Sequence, residues 1–342
     1  MNETDGRRIA ALAGEAVSGP DRSAWFDHLE REREALAEAV SWYLGRDDVD
    51  TALRIVVGVR LFWEQRGHLT EGRRIIETAL EMGSRADQGL LAQAYMAATG
   101  LAFRQGDNDT AASRVETALD LARSAGDQRA ISSGLVWSAR IARRRGEHEL
   151  ARQRLEEAVA VTATLGDARA MIEPLHSLAA GERLAGNYTA ARRGYEETRA
   201  LCEQSGNARG AMIETMNLAA VELLLEDVLA ADRGAKEVLR WARDTKDARA
   251  IPACFSILGG VARLRGEAER AATLLGAAEA ALVRGQAMFD PDDSAEHAER
   301  VARAIELLGS DRYAKAADAG RSMTESDAAA FALGERTDTP TS

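Results

Sequence analysis

The sequence predicts an all-α fold, a right-handed superhelical solenoid of about six helix-turn-helix repeats of 40 residues with helical caps. Two observations support this class: the composition favours helices, and short marks recur at a constant interval. Of 342 residues, 46% are hydrophobic but only 5% are aromatic, and prolines number five. Such a chain can bury a large core, and its abundant Ala, Leu, Arg and Glu prefer helices to strands.

The recurring marks set the length of the repeat. One set consists of Gly67, Gly106, Gly146, Gly186, Glu226 and Gly266, with a step of 39 and then four steps of 40 residues. A second set, which begins with Gly-Asp-Ala-Arg at 166–169, recurs in related form at 126–129, 206–209 and 246–249. Because glycine readily adopts the left-handed conformation that ends many helices, each repeat should contain two helices and two turns.

Small side chains recur five residues after each mark of the first set. They are Gly72, Ala111, Ala151, Ala191, Ala231 and Ala271. Small residues at fixed places let neighbouring helices approach closely, and larger residues three or four positions away fill the space on the same face. The spacing therefore predicts helix–helix contacts at this column.

Five segments are predicted along the chain. A partly disordered N-terminal segment at 1–21 is followed by a helical cap at 22–50, repeats at 51–285, capping helices at 286–333 and a disordered tail at 334–342. A terminal repeat needs an atypical cap over its apolar face. We interpret the aromatic residues of the N-terminal cap as this cover, with a bare docking surface as the alternative.

The columns resemble those of the tetratricopeptide repeat (TPR), in which a Gly-Asp-Tyr turn precedes a helix with paired alanines around an aromatic residue. The closest match is Gly186-Asn187-Tyr188 with Ala191 and Tyr195. The usual unit has 34 residues, so each helix here should be longer by most of a turn. An Ala-rich helical bundle with chance periodicity is the alternative.

A narrower resemblance covers about residues 22–333. Its motifs are Trp25 to Glu32, Phe62-Trp63, Arg66-Gly67-His68, Glu71 to Arg74, and the stretch AATLLGAAEAAL at 271–282. They look like the repeat region of actinobacterial signal-transduction ATPases and LuxR-type regulators related to the maltose-operon activator. The resemblance implies a bacterial role in signal transduction and transcription regulation. The sequence contains no Gly-x-x-x-x-Gly-Lys-Ser/Thr phosphate loop and ends without a DNA-reading segment, so we expect the sensor or scaffold part alone.

Candidate ligand-binding residues follow from the same resemblance, because the first helix of each pair lines the concave groove of such solenoids. Counting back from the marks gives the candidates Trp137, Arg140, Arg143, His176, Arg183, Met216, Asn217 and Arg263. Arginine offers forked donors to carboxylate and phosphate, which favours an anionic metabolite, a carboxylate terminus or an acidic peptide as ligand. The alternative is that the arginines only bridge repeats by pairing with Glu182 and Glu222.

Charge and cysteine usage exclude several other classes. A net charge of -11 disfavours non-specific binding of nucleic acid, which requires many Lys and Arg contacts to phosphate. Cys202 and Cys254 have no disulfide or metal-ligand spacing, and no apolar run is long enough to span a membrane. We expect a cytoplasmic protein with no cofactor, no metal and no catalytic set.

The predicted function is therefore a non-catalytic binding module in bacterial regulation. Its groove would take a peptide, a protein segment or a small anionic effector and relay occupancy to a partner, such as a separately encoded ATPase or transcription regulator. A passive protein–protein scaffold is the first alternative. An enzyme of secondary metabolism that uses the groove as its active site is the second.

Overall fold

All regular elements in the described part of the chain are helical. The computed structural model describes residues 1–18, 22–83 and 86–335. The α-helices are α1 Glu3–Ser18, α2 Arg22–Arg31, α3 Arg33–Leu44, α4 Val49–Arg66, α5 Leu69–Glu81, α6 Gln88–Arg104, α7 Asn108–Ala125, α8 Gln128–Arg144, α9 His148–Ala163, α10 Ile172–Leu184, α11 Tyr188–Gln204, α12 Ala208–Leu224, α13 Val228–Thr245, α14 Ile251–Leu264, α15 Ala268–Arg284, α16 Pro291–Leu308, α17 Ser310–Ser322 and α18 Glu325–Leu333. The prediction of an all-α fold is confirmed.

The six predicted repeats are the consecutive helix pairs from α4 and α5 to α14 and α15. Every mark of both predicted sets has a left-handed backbone, with φ of +80° at Gly67, +81° at Gly186 and +63° at Glu226. The chain thus turns at positions where glycine is favoured. Glu226 and Lys246 adopt the same left-handed conformation although they are not glycines.

The predicted small column lies in the helix contacts. Ala111, Ala191, Ala231 and Ala271 are completely buried, and Ala151 is 2% exposed. Larger residues four positions further on, such as Val115 and Tyr195, are buried beside them. The column therefore sets how closely neighbouring helices pack.

The chain divides into two compact units near its midpoint. One, which we call the N-unit, comprises residues 1–170, and the other, the C-unit, begins at Met171. The boundary falls at a 3-10 helix, Ala168–Met171, which follows the left-handed Gly166. The sequence predicts one repeat region at 51–285 and gives no sign of this division.

The N-terminal segment differs from its prediction. Residues 3–18 of the segment predicted to be partly disordered form α1, which packs against α3 and α4, and Ile9, Leu12 and Ala13 are buried. These apolar residues share one helix face, so α1 extends the N-terminal cap before residue 22. Residues 19–21 lie outside the described residues.

The C-terminal helices pack in two different ways. Helix α17 approaches α15 so closely that a Cβ atom at Gly276 or Gly320 would collide with backbone of the facing helix. Helix α16 instead contacts α10 and α14 as well as α15, so it lies against first helices of the C-unit. Of the predicted tail at 334–342, residues 336–342 lie outside the described residues.

Candidate functional site

The first helices of the N-unit carry a cluster of aromatic rings and arginines. The Phe103 and Trp137 rings meet edge to face with their centroids 5.6 Å apart. The Arg140 guanidinium lies 4.7 Å from the Trp137 ring centroid, and that of Arg144 lies 3.5 Å from the Phe103 centroid. Two predicted site residues, Trp137 and Arg140, are therefore in contact, while the predicted Arg143 is 9% exposed on the same helix.

A buried carboxylate lies beside this cluster. The side chain of Glu64 on α4 is only 3% exposed, and its oxygens lie 3.5 Å from Arg60 and 3.4 Å from Arg104. A Cβ atom at Gly100 would lie 3.3 Å from both Glu64 Oε1 and the Trp137 ring, so the carboxylate and the ring face the same small gap. The sequence analysis missed Glu64, although it lies three residues before the mark Gly67, the position that Arg143, Arg183 and Arg263 occupy in later repeats.

The first helices of the C-unit hold a second buried carboxylate. His176 Nδ1 lies 2.9 Å from Glu214 Oε1, and Asn217 Nδ2 donates to Glu214 Oε2 over 3.3 Å. Glu214 is 3% exposed, and the predicted Met216 is 8% exposed nearby in the chain. Two predicted residues, His176 and Asn217, are thus joined through an acid that the sequence analysis did not select.

Arg183 binds carboxylates that lie more than 100 positions away in the sequence. Its Nε donates to Glu296 Oε1 over 2.6 Å, and one terminal nitrogen donates to Glu296 Oε2 over 2.7 Å and to Asp293 Oδ1 over 2.9 Å. Arg183 is 3% exposed. The forked geometry is typical of strong charge-assisted binding of a carboxylate by arginine.

The alternative pairing predicted for the arginines needs correction at Arg183. Glu222 lies 3.7 Å from Arg192, and Glu182 accepts a hydrogen bond from Asn187. The acids that Arg183 binds belong to α16, which contacts α10 across the C-unit. The sequence shows the charge of α16 but not its position in the fold.

We call residues 293–300 of α16 the strap, because they cross α10 and α14. Ser256 of α14 is 2.9 Å from both His297 Nδ1 and Arg300, and Arg300 donates to Glu296 over 2.6 Å. Burial acts to raise the pKa of the Glu296 carboxyl, but the charges of Arg183 and Arg300 hold this pKa below its usual value. The strap is thus a charged helix segment with its partners in the C-unit.

A cavity of about 210 Å³ lies beside the strap. Its lining includes Tyr188, Leu223, Arg263, Arg300 and Arg303. The Nε atom of Arg263 is buried and has no hydrogen-bond partner among the described residues. The predicted site residue Arg263 therefore faces a space large enough for several ligand atoms.

The cysteines and acidic residues provide no further site. Cys202 and Cys254 are buried, and burial raises the pKa of the Cys202 thiol to about 11, so it is a poor nucleophile. Within residues 1–18, 22–83 and 86–335, no group of three His, Cys, Asp or Glu could hold a metal ion. No helix in these ranges is long and apolar enough to cross a membrane.

Comparison with known proteins finds similar structures but no similar sequence. No protein-family model matches the chain, and no curated protein matches it. The chain is similar to NprR in complex with its cognate peptide NprX, with 17% identity and a TM-score of 0.58, over 91% of this chain and 92% of that one. It is also similar to a Rap protein complexed with competence and sporulation factor, with 12% identity and a TM-score of 0.56, over 91% and 99% of the two chains.

A third similar structure is a signal-transduction ATPase with a tetratricopeptide repeat sensor from Pyrococcus horikoshii. The identity is 13% and the TM-score 0.49, over 94% of this chain and 53% of that protein. At such low identities, structural likeness shows the fold alone. Together with the six helix pairs, the structural likeness shows an all-α fold built from TPR-like helix-turn-helix repeats.

Proposed function

We propose that this protein is a cytoplasmic, non-catalytic binding module in bacterial regulation. The first helices within a unit take a peptide or protein segment, and a separately encoded ATPase or transcription regulator responds to occupancy. One observation carries this proposal: the C-unit already holds a helical segment, the strap, on its first helices through the buried Arg183.

The N-unit supports the same function with a different chemistry. Phe103 and Trp137 offer aromatic surface, and Arg140 stacks over it without full burial. Aromatic and arginine side chains dominate the binding energy of many protein interfaces. The NprR and Rap structures described above, with TM-scores above 0.5, were solved in complex with a cognate peptide and with competence and sporulation factor, which agrees with this proposal.

The alternative of an enzyme has less support. A catalytic groove would need His176, Arg183 and Glu222 to act together, but they contact Glu214, Glu296 and Arg192 respectively. Buried acids that are paired with arginine or histidine also occur as structural features and do not by themselves indicate a reaction. A passive scaffold remains the rival to a ligand-responsive module.

Thermal melting with peptide pools and a metabolite library tests the proposal. A ligand present at 100 times its Kd should stabilise the protein by about 2.7 kcal/mol. Arg140→Gln should remove stabilisation by ligands of the N-unit, whereas Arg129→Gln, at an exposed ion pair with Asp167, should not. A protein that binds a regulator but never gains stability with any pool would be a scaffold instead.

A further inference from the structure

We infer that the strap is an internal ligand of the C-unit, and that the external ligand is an acidic helical segment of a protein partner that displaces it. This inference rests on the proposed function and names the ligand class and the regulation of that site. The contacts of the strap show which chemical groups the first helices of the C-unit bind.

The C-unit binds a pair of carboxylates that lie three residues apart on one helix. Asp293 and Glu296 both bind Arg183, and residues at this spacing lie on the same helix face. No apolar anchor of the strap is needed for this contact. A partner helix with acids at the same spacing would therefore offer Arg183 an equivalent set of acceptors.

The contacts of α16 differ between its two halves. The second half is fastened by apolar packing, since Val301, Ala304 and Ile305 join a core cluster with residues of α15 and α17. The strap instead makes polar contacts with Arg183 of α10 and Ser256 of α14, and its His297 lies 3.8 Å from Glu279 of α15. Release of the strap can thus leave the rest of α16 in place.

Energetics favour exchange at a contact of this kind. A buried ion pair gains attraction but loses hydration, so its net contribution to stability is often small. Breaking it without replacement leaves buried charges uncompensated, which is strongly unfavourable. An incoming acidic helix avoids this loss because Arg183 exchanges one carboxylate for another.

The cavity beside the strap gives the external segment an advantage over the internal one. The strap leaves the buried Nε of Arg263 without a hydrogen-bond partner among the described residues. Arg263 lines the 210 Å³ cavity, which would admit a further carboxylate side chain beside this residue. A partner with a third acidic side chain can therefore pair with Arg263, which the strap does not bind.

Competition with the strap weakens external binding in the intact protein. A tethered segment acts at an effective concentration on the order of millimolar, and only the fraction of molecules with a released strap can bind. Weakening the strap should therefore raise the affinity for an acidic segment, even though the receptor residues are unchanged.

The test uses the full chain and a fluorescent peptide with the sequence of α16, residues 291–308. We expect Asp293→Asn with Glu296→Gln to bind this peptide at least tenfold more tightly than the unmodified protein does. Adding Arg183→Gln should abolish binding, and adding Arg263→Gln should weaken binding of a peptide extended by one more acid. Arg312→Gln, which changes an exposed pair with Glu269, is the matched control and should have no effect.

Three results would overturn the inference. They are equal affinity of the unmodified and strap-weakened proteins, binding that persists with Arg183→Gln, or equal binding of a peptide with Asn and Gln in place of the two acids. Circular dichroism must show unchanged helicity for each variant. If the acidic peptide fails while other pools still stabilise the protein, the inference falls and the proposed function stands.

Hydrogen exchange provides a second measurement that does not depend on any variant. Amides of residues 294–300 should exchange at least tenfold faster than those of α17, because the strap opens without unfolding of the unit. Equal protection of the strap and α17 would show a permanent cap and would also overturn the inference.

Discussion

Glu226 and Lys246 hold a left-handed backbone conformation that glycine adopts at the equivalent marks of other repeats. Their φ angles are +63° and +55°, and both side chains are exposed. The conformation brings the Cβ atom close to the carbonyl oxygen, so an ordinary residue is less stable there than glycine. The backbone of these two residues is therefore strained, whereas the glycines at the equivalent marks of other repeats are not.

We expect Glu226→Gly to stabilise the protein by about 0.5–1 kcal/mol, after allowance for the greater freedom of glycine in the unfolded chain. Thermal melting should show this as a small rise in Tm. Gly186→Ala, at the same mark one repeat earlier, is the matched control and should lower Tm. Loss of stability in Glu226→Gly would mean that the glutamate side chain makes a favourable contact that outweighs the strain.

Sequence reasoning succeeded where a residue acts locally and failed where its partner is remote. The glycine marks and the buried alanines depend on turns and contacts between adjacent helices, which a 40-residue period reveals. Glu64 and Glu214 pair with residues of an adjacent repeat, whereas Glu296 became a site residue only because α16 packs against α10. Glu64 does lie in a periodic column, three residues before Gly67, whereas Glu214 and Glu296 follow no such pattern, and nothing in their type distinguishes these acids from exposed ones.

At the scale of helices, the small column decides how closely each pair packs. Ala191 is completely buried in a cluster with Ala179, Tyr195 and Leu218. A larger side chain there must push neighbouring helices apart or adopt a strained rotamer. The 40-residue period predicts such a contact, and the structure places it between α11 and the first helices on either side.

We expect Ala191→Leu to destabilise the protein by roughly 1–3 kcal/mol. Ala168→Leu, at an exposed position of the 3-10 helix between the units, should change stability little. Urea unfolding of both variants checks the difference. Equal midpoints would contradict the register of the small column.

Helices α1 and α16 show what periodicity cannot predict about an element. The apolar residues of helix α1 are mostly alanines, and the helix packs against a surface of α3 and α4 that the sequence does not reveal. Helix α16 was predicted as part of a C-terminal cap at 286–333, and its second half does pack on α15 and α17. Its first half instead contacts Arg183 of α10 and Ser256 of α14.

At the scale of the whole molecule, net charge and local charge act in opposite directions. The protein has a net charge of -11, yet Arg183 of the C-unit binds the acidic strap. A second arginine, Arg263, lines the cavity beside the strap. Long-range repulsion should slow the approach of an acidic segment, whereas the short-range contacts should retain it after arrival. The range of repulsion falls from about 30 Å at 10 mM salt to about 8 Å at 150 mM.

Raising salt should therefore speed the association of the α16 peptide, which has five carboxylates and two arginines, with the strap-weakened variant. We expect the association rate constant to increase roughly 3- to 10-fold between 10 and 150 mM salt. Dissociation should change less, because Arg183 is 3% exposed and buried pairs are weakly screened. Stopped-flow fluorescence measures both rates. A decrease of the association rate with salt would show that the arginines, rather than the net charge, determine the field that an approaching segment meets.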